Sequence, residues 1–176
     1  LDTFIIMNDY ENFQKYSSVI NETYKNFKIE LNIQVFETNI RILGSLLTCH
    51  LFAIDDRTKF NLPDYNGFYL NLAYDLGKRL ILAYNTDSGI PFPKTNLMRG
   101  PFYLPKNKQS ETCSAGVTTL IIEFTLLSRL TNDPIFEKLT KFSFLKIWDS
   151  RSNIDLIPMT INPLTNIFND RITGIG

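Results

Sequence analysis

The chain has 176 residues, enough for one domain with a real core, and its 18 basic and 18 acidic side chains cancel to a formal net charge of zero. No basic tail or stripe gives nucleic acid a footing, and no polybasic amphipathic helix suits a membrane surface. Apolar runs such as Phe4–Met7 and Leu80–Tyr84 are far too short to span a bilayer, so no transmembrane segment is expected.

In chain order, Leu1–Met7 reads as the end of an element already under way. Asn8-Asp9 then starts an amphipathic helix over about residues 9–24, with Tyr10, Phe13, Tyr16, Ile20 and Tyr24 at helical spacing. After a polar turn at 25–30, the spacing predicts one helix over 33–54 that is apolar on nearly every face, and such a helix is expected to be buried. Residues 55–65 read as a surface loop. Gly67 opens a third helix over 68–84, and Gly89 marks a left-handed exit. Residues 91–111, broken by Pro93, Pro101 and Pro105, read as a long irregular loop, which in a compact domain is more often functional than idle. A second nearly charge-free helix is predicted over 114–131. A turn at Asn132–Pro134 and an amphipathic helix over 134–148 follow, and residues 159–173 suit a small hairpin. Five helices without a βαβ rhythm make the fold class all-α with one β excursion, and alternating amphipathic and apolar helices suggest an outer and an inner layer.

The two apolar helices hold the candidate functional groups. Between Leu31 and Ile54 the only charges are Glu37 and Arg41, four residues apart and so on one helical face. From Thr112 to Ser128 the only charge is Glu123. Structural ion pairs account for such groups about as often as chemistry does. Cys49, Cys113 and the single histidine, His50, have no metal-ligand spacing, so no metal site is expected from them and both cysteines read as small buried hydrophobes. Asn21-Glu22-Thr23 is an acceptor sequon for N-glycosylation and hints at a secretory compartment.

Val35-Phe-Glu-Thr-Asn-Ile-Arg-Ile-Leu-Gly44 resembles the signature of glycoside hydrolase family 47, the inverting α-1,2-mannosidases. So do Ala73-Tyr-Asp-Leu-Gly-Lys-Arg-Leu80, Gly89-Ile-Pro-Phe-Pro93, Cys113-Ser-Ala-Gly116, Glu123-Phe124 and Trp148 with Arg151-Ser152. Glu111–Gly116 and Thr173–Gly176 are similar to the ER degradation-enhancing branch, its fungal members above all. Pro158-Met159 and Phe168 depart from the usual pattern around the hairpin.

The resemblance covers the whole chain and implies part of an (α/α)7 toroid plugged by a β-hairpin. Residues 1–176 would then be a partial catalytic domain, truncated at both ends and inactive by itself. Glu37 and Glu123 would be catalytic carboxylates, with Arg41 lining the substrate pocket. Calcium would be bound in the intact parent through a ligand outside these residues. The implied activity is removal of terminal α-1,2-linked mannose from high-mannose N-glycans of misfolded glycoproteins, in the endoplasmic reticulum lumen, marking them for degradation. A protein disulfide isomerase is the implied partner in the fungal branch. The alternative is a non-hydrolytic member of the same fold that only recognises the glycan, and a third reading is a plain helical scaffold.

Overall fold

The computed structural model describes residues 1–101 and 110–174. Pro105 and the closing Ile175-Gly176 lie outside the described residues. The chain begins with a short helix α1 (Asp2–Ile6) and an amphipathic α2 (Tyr10–Thr23), whose N-terminus is capped by the Asp9 carboxylate accepting from Asn12 N at 3.1 Å. Next come β1 (Asn32–Gln34), α3 (Val35–Thr38), a π-helical turn (Asn39–Leu43) and α4 (Gly44–Ile54). Helix α5 (Phe68–Leu80) runs into a 3-10 turn (Ile81–Tyr84), followed by β2 (Lys94–Asn96) and β3 (Thr112–Cys113). Then α6 (Ser114–Thr118), α7 (Ile121–Thr131) and α8 (Ile135–Asp149) lead to a hairpin of β4 (Thr160–Asn162) and β5 (Ile167–Phe168).

The helix expected over 33–54 is therefore four pieces. Its first residues are a strand, because Ile33 pairs antiparallel with Thr95 in β2, inside the stretch expected to be irregular. The remaining helix widens by one π turn before resuming, which rotates the faces of α3 relative to α4. Nor is α4 buried all round. Leu43, Leu46, Leu47, Cys49 and Ala53 face the core, whereas Ile40, Ile42, Leu51 and Ile54 remain exposed. The helix expected over 114–131 breaks at Thr119-Leu120. There the Thr118 and Thr119 hydroxyls bond back to the carbonyls of Ser114 and Ala115 at 3.0 and 2.8 Å, in competition with the backbone ladder.

Helices α4 and α7 lie against each other, α5 packs on both, and α8 runs along α7. Phe13, Leu47, Tyr69, Leu76, Leu80, Phe124, Leu127 and Phe136 fill the core between them. Gly77 is where α5 meets α7 and α8: a Cβ there would sit 2.4 Å from Leu127 Cδ2 and 3.0 Å from Phe136 Cε1. The hairpin joins β3 in one antiparallel sheet, ordered β3-β4-β5 with Ile161 opposite both Thr112 and Phe168. Ile161 seals a small second core with Ile90, Val117 and Ile147. Pro158 and Met159 do not disturb this plug. Their carbonyls accept the Ser114 hydroxyl at 2.6 Å and the Ser114 N–H at 2.8 Å, which ties the hairpin to the start of α6.

Asp75 and Arg79 in α5 form a clamp that positions the chain crossing the helix. Asp75 takes two hydrogen bonds from the Arg79 guanidinium, both 2.9 Å, and one from Phe27 N at 2.6 Å, while Arg79 Nη1 donates to the Leu97 carbonyl at 2.9 Å. Burial alone would raise the Asp75 carboxyl. The bonds from Arg79 and Phe27, with the arginine's charge, outweigh it and hold the group below its ordinary range. A depressed folded-state value contributes stability above the unfolded carboxylate range, about 3.9, and that contribution is lost as the pH falls through the folded value. In the full-length protein Asp75→Asn is expected to melt below the parent at neutral pH, with the gap closing as the pH drops under about 4. Melting curves of the two proteins across this range check it, and a gap independent of pH would remove the ionised clamp.

Candidate active site

Each candidate carboxylate is bonded to a residue of the π turn, Glu37 to Arg41 and Glu123 to Asn39. Val35 N, an unpaired donor at the start of α3, is taken up by the Pro93 carbonyl at 2.9 Å, so the Gly89–Pro93 run fixes where this helix begins. Gly89 permits that run: its φ is +75°, and a Cβ would lie 2.4 Å from Phe142. Gly116 in α6 lets Phe36 approach on the other side, where a Cβ would meet Phe36 Cβ at 3.5 Å. These contacts hold α3 from both flanks while Glu37 projects outward between them.

Glu37 is not buried, as the all-round apolar pattern suggested. Its side chain is 40% exposed and that of Arg41 is 72% exposed, and Arg41 Nε donates to Glu37 Oε2. The difference follows from the π turn and the open face of α4, which leave this end of the helix facing solvent alongside Ile40 and Ile42. An exposed pair of this kind contributes little to stability, about 0–1 kcal/mol, so a purely structural reason for it is weak.

Glu123 lies in the first turn of α7, half-buried, beside an Ile122 that is 68% exposed. Asn39, in the π turn, is fully buried and donates its amide Nδ2 to Glu123 Oε2 at 2.7 Å. Gly44, at the start of α4, stands directly over the same carboxylate, and a Cβ there would lie 3.7 Å from Glu123 Oε1. Asn39 is the residue that sequence reasoning missed. Its signal was the one amide inside the Glu37–Arg41 motif. Among the described residues its other amide atom, Oδ1, is buried without a partner. An unpaired buried acceptor costs about 1–3 kcal/mol, and a chain keeps such a group where the remaining bond matters.

A cavity of about 290 Å³ opens beside α3, lined by Phe36, Phe92, Lys94, Thr112 and Cys113 among others, and neither Glu37 nor Glu123 lines it. Among the described residues no group of three or more His, Cys, Asp or Glu side chains is gathered as a metal ion requires. No helix among the described residues is long and apolar enough to cross a membrane. The cysteines differ from each other. Cys49 is buried, and burial pushes its thiol up to about 12. Cys113 is exposed, against expectation, because its sulfur caps α6 from outside, accepting from Gly116 N at 3.1 Å.

The profile of glycosyl hydrolase family 47 matches residues 1–176, the whole chain. The chain belongs to this family. Over 176 residues it is 42% identical to alpha-mannosidase I MNS4 of Arabidopsis thaliana, covering all of this chain and 28% of that protein. It is 39% identical over 181 residues to ER degradation-enhancing alpha-mannosidase-like protein 1 of Saccharomyces cerevisiae, covering 23% of it. The likeness thus falls in the ER degradation-enhancing branch of family 47 and reaches beyond its fungal members. The solved α-1,2-mannosidase from Trichoderma reesei superposes with a TM-score of 0.78 at 25% identity, over 96% of this chain and 36% of that one. The fold is accordingly part of the family's (α/α)7 barrel. The chain spans under a third of the length of these two curated relatives.

Proposed function

We propose that this protein hydrolyses terminal α-1,2-linked mannose from high-mannose N-glycans of misfolded glycoproteins in the lumen of the endoplasmic reticulum, and so marks them for degradation. The observation that carries the reading is the pair of carboxylates anchored to one π turn: Glu37 exposed beside Arg41, and Glu123 held by Asn39. Membership of family 47 and the names of the relatives support it. Glycoside hydrolysis needs a proton for the leaving oxygen and a carboxylate to activate or stabilise on the opposite side. In this reading Glu37 serves the leaving oxygen. Arg41 binds sugar hydroxyls with the guanidinium donors its bond to Glu37 leaves free. Glu123 contacts the substrate with Oε1, while Asn39 is a positioning residue that keeps Oε2 in place. Water activation and the calcium of the intact protein involve residues outside this chain. A protein disulfide isomerase belongs to the same reading as partner, with Cys113 the thiol of this chain open to exchange.

The test is mannose release from a high-mannose N-glycan by the full-length protein, followed by NMR of the freshly released sugar. Inversion at an α linkage gives β-mannose first. Glycan binding without release would favour the recognition-only reading, and neither binding nor release would leave a scaffold. Residues 1–176 alone are expected to release none.

A further inference from the structure

Asn21-Glu22-Thr23 is the one motif of the sequence that the reading above leaves unused. It occupies the last turn of α2, and the helix stops immediately after it, with Tyr24 already extended at φ −107° and ψ 124°. Phe13 and Ser17 are the residues of α2 that face the core, whereas Glu22, Thr23 and Tyr24 are exposed and Asn21 lies at the boundary. The Asn21 carbonyl is engaged, accepting from Lys25 Nζ, but among the described residues its side-chain amide has no hydrogen-bond partner. A half-buried polar side chain that lines two surface grooves, with no hydrogen bond to break, can carry a substituent.

The surface on both sides of it is grooved. One groove of about 200 Å³ runs from Asn21 past Ser18 to Asp64 and Tyr65, and another of about 260 Å³ runs past Tyr24 to Asn66 and Asn71. Phe68 forms a wall of both. An aromatic face flanked by amides, hydroxyls and a carboxylate offers a sugar ring an apolar surface for its C–H face and partners for its hydroxyls.

We propose that Asn21 is N-glycosylated, and that the first sugars of the glycan lie in the groove between Tyr24, Asn66, Phe68 and Asn71. The donor is an oligosaccharide linked to a lipid pyrophosphate. The Asn21 amide nitrogen bonds to C1 of the donor's first sugar, the bond from C1 to the pyrophosphate breaks, and the amide proton leaves with the released lipid pyrophosphate. Thr23 supplies the hydroxyl that the acceptor sequon requires two residues on. The glycan covers the exposed end of α2, beside grooves that neither Glu37 nor Glu123 lines.

The inference rests on the proposed secretory location, so the experiment separates the two. The full-length protein is expressed behind a leader in a secretory host, which delivers it to the lumen whatever its natural address. Peptide mass spectrometry is expected to find the glycan on Asn21 and to find Asp at that position after amidase treatment. The glycan is lost in Asn21→Gln and Thr23→Ala and kept in Thr23→Ser. Under native conditions endoglycosidase release is expected to be several-fold slower than after denaturation, and Asn66→Ala with Asn71→Ala together restore much of the rate. An unmodified Asn21 in secreted, folded protein overturns the site. Equal release rates in the native parent, the double variant and the denatured protein overturn the groove. Fractionation of the protein in its own cells reports on the location independently.

Discussion

Glu37→Gln in the full-length protein is expected to slow mannose release by about 10²–10⁴-fold, the usual range for loss of a general acid or base. The substitution is isosteric and removes only the ability to hold and give a proton. Nothing else in the structure depends on that proton. The Glu37 side chain is 40% exposed, its partner Arg41 is more exposed still, and Val35 at the helix start is tied to Pro93 by backbone alone. The glutamine oxygen can still accept from Arg41, so the helical circular dichroism and the melting temperature should stay at the parent's values. Turnover within a factor of a few of the parent would sink the role given to Glu37. A loss of activity accompanied by unfolding would place the residue in the scaffold instead.

Glu123→Gln is the second large effect expected, a fall in kcat of the same order, about 10²-fold or more. Here the geometry makes the test unusually clean. A glutamine at 123 can turn its oxygen toward Asn39 Nδ2 and keep the 2.7 Å bond, so what is lost is the charge and not the contact. Glu137→Gln is the control. Glu137 lies on α8, 35% exposed and 3.6 Å from Arg129, and surface pairs of this kind contribute about 0–1 kcal/mol to stability and nothing to a remote reaction. If the two variants behave alike, Glu123 has no place in the pocket. Asn39→Leu sharpens the point. It removes the donor to Glu123 and the unpaired Oδ1 together, and the half-buried Glu123 carboxylate can take from water the bond it loses, so the cost to stability is small. Its kcat should fall while its melting temperature hardly moves. A melting temperature that falls with kcat intact would make Asn39 a packing residue.

The family motifs divide into two physical kinds. Glu37, Arg41 and Glu123 are charges that packing does not require. Asp75, Gly77, Arg79, Gly89 and Gly116 are required by packing. Asp75 and Arg79 clamp Phe27 and Leu97, and the glycines stand where a Cβ would meet Leu127, Phe142 or Cys113 at 2.4–2.8 Å. Trp148 and Arg151 belong with the second kind. The guanidinium lies 4.3 Å from the indole centroid and donates to the Trp148 carbonyl, closing the end of α8.

The sequence by itself determined that this is a helical domain, where α2, α5 with its 3-10 turn, and α8 lie, and which three charges stand out. These are local properties: spacing sets which face of a helix is apolar, and a lone charge in an apolar run is visible without any neighbour. Gly89 was equally legible, because a left-handed turn is decided by the residue that occupies it. Only the tertiary structure decided that residues 33–54 are a strand, a short helix, a π turn and a second helix. The strand exists because β2, some sixty residues on, pairs with it, and hydropathy cannot report a partner that distant. It also decided that Glu37 faces solvent, that Cys113 is exposed while Cys49 is sealed, and that Asn39 reaches across 84 positions of sequence to hold Glu123. A helical period assumes an unbroken helix, and one extra residue in a π turn rotates every face after it. The register of the site was therefore set by contacts between elements and not by the pattern within any one of them.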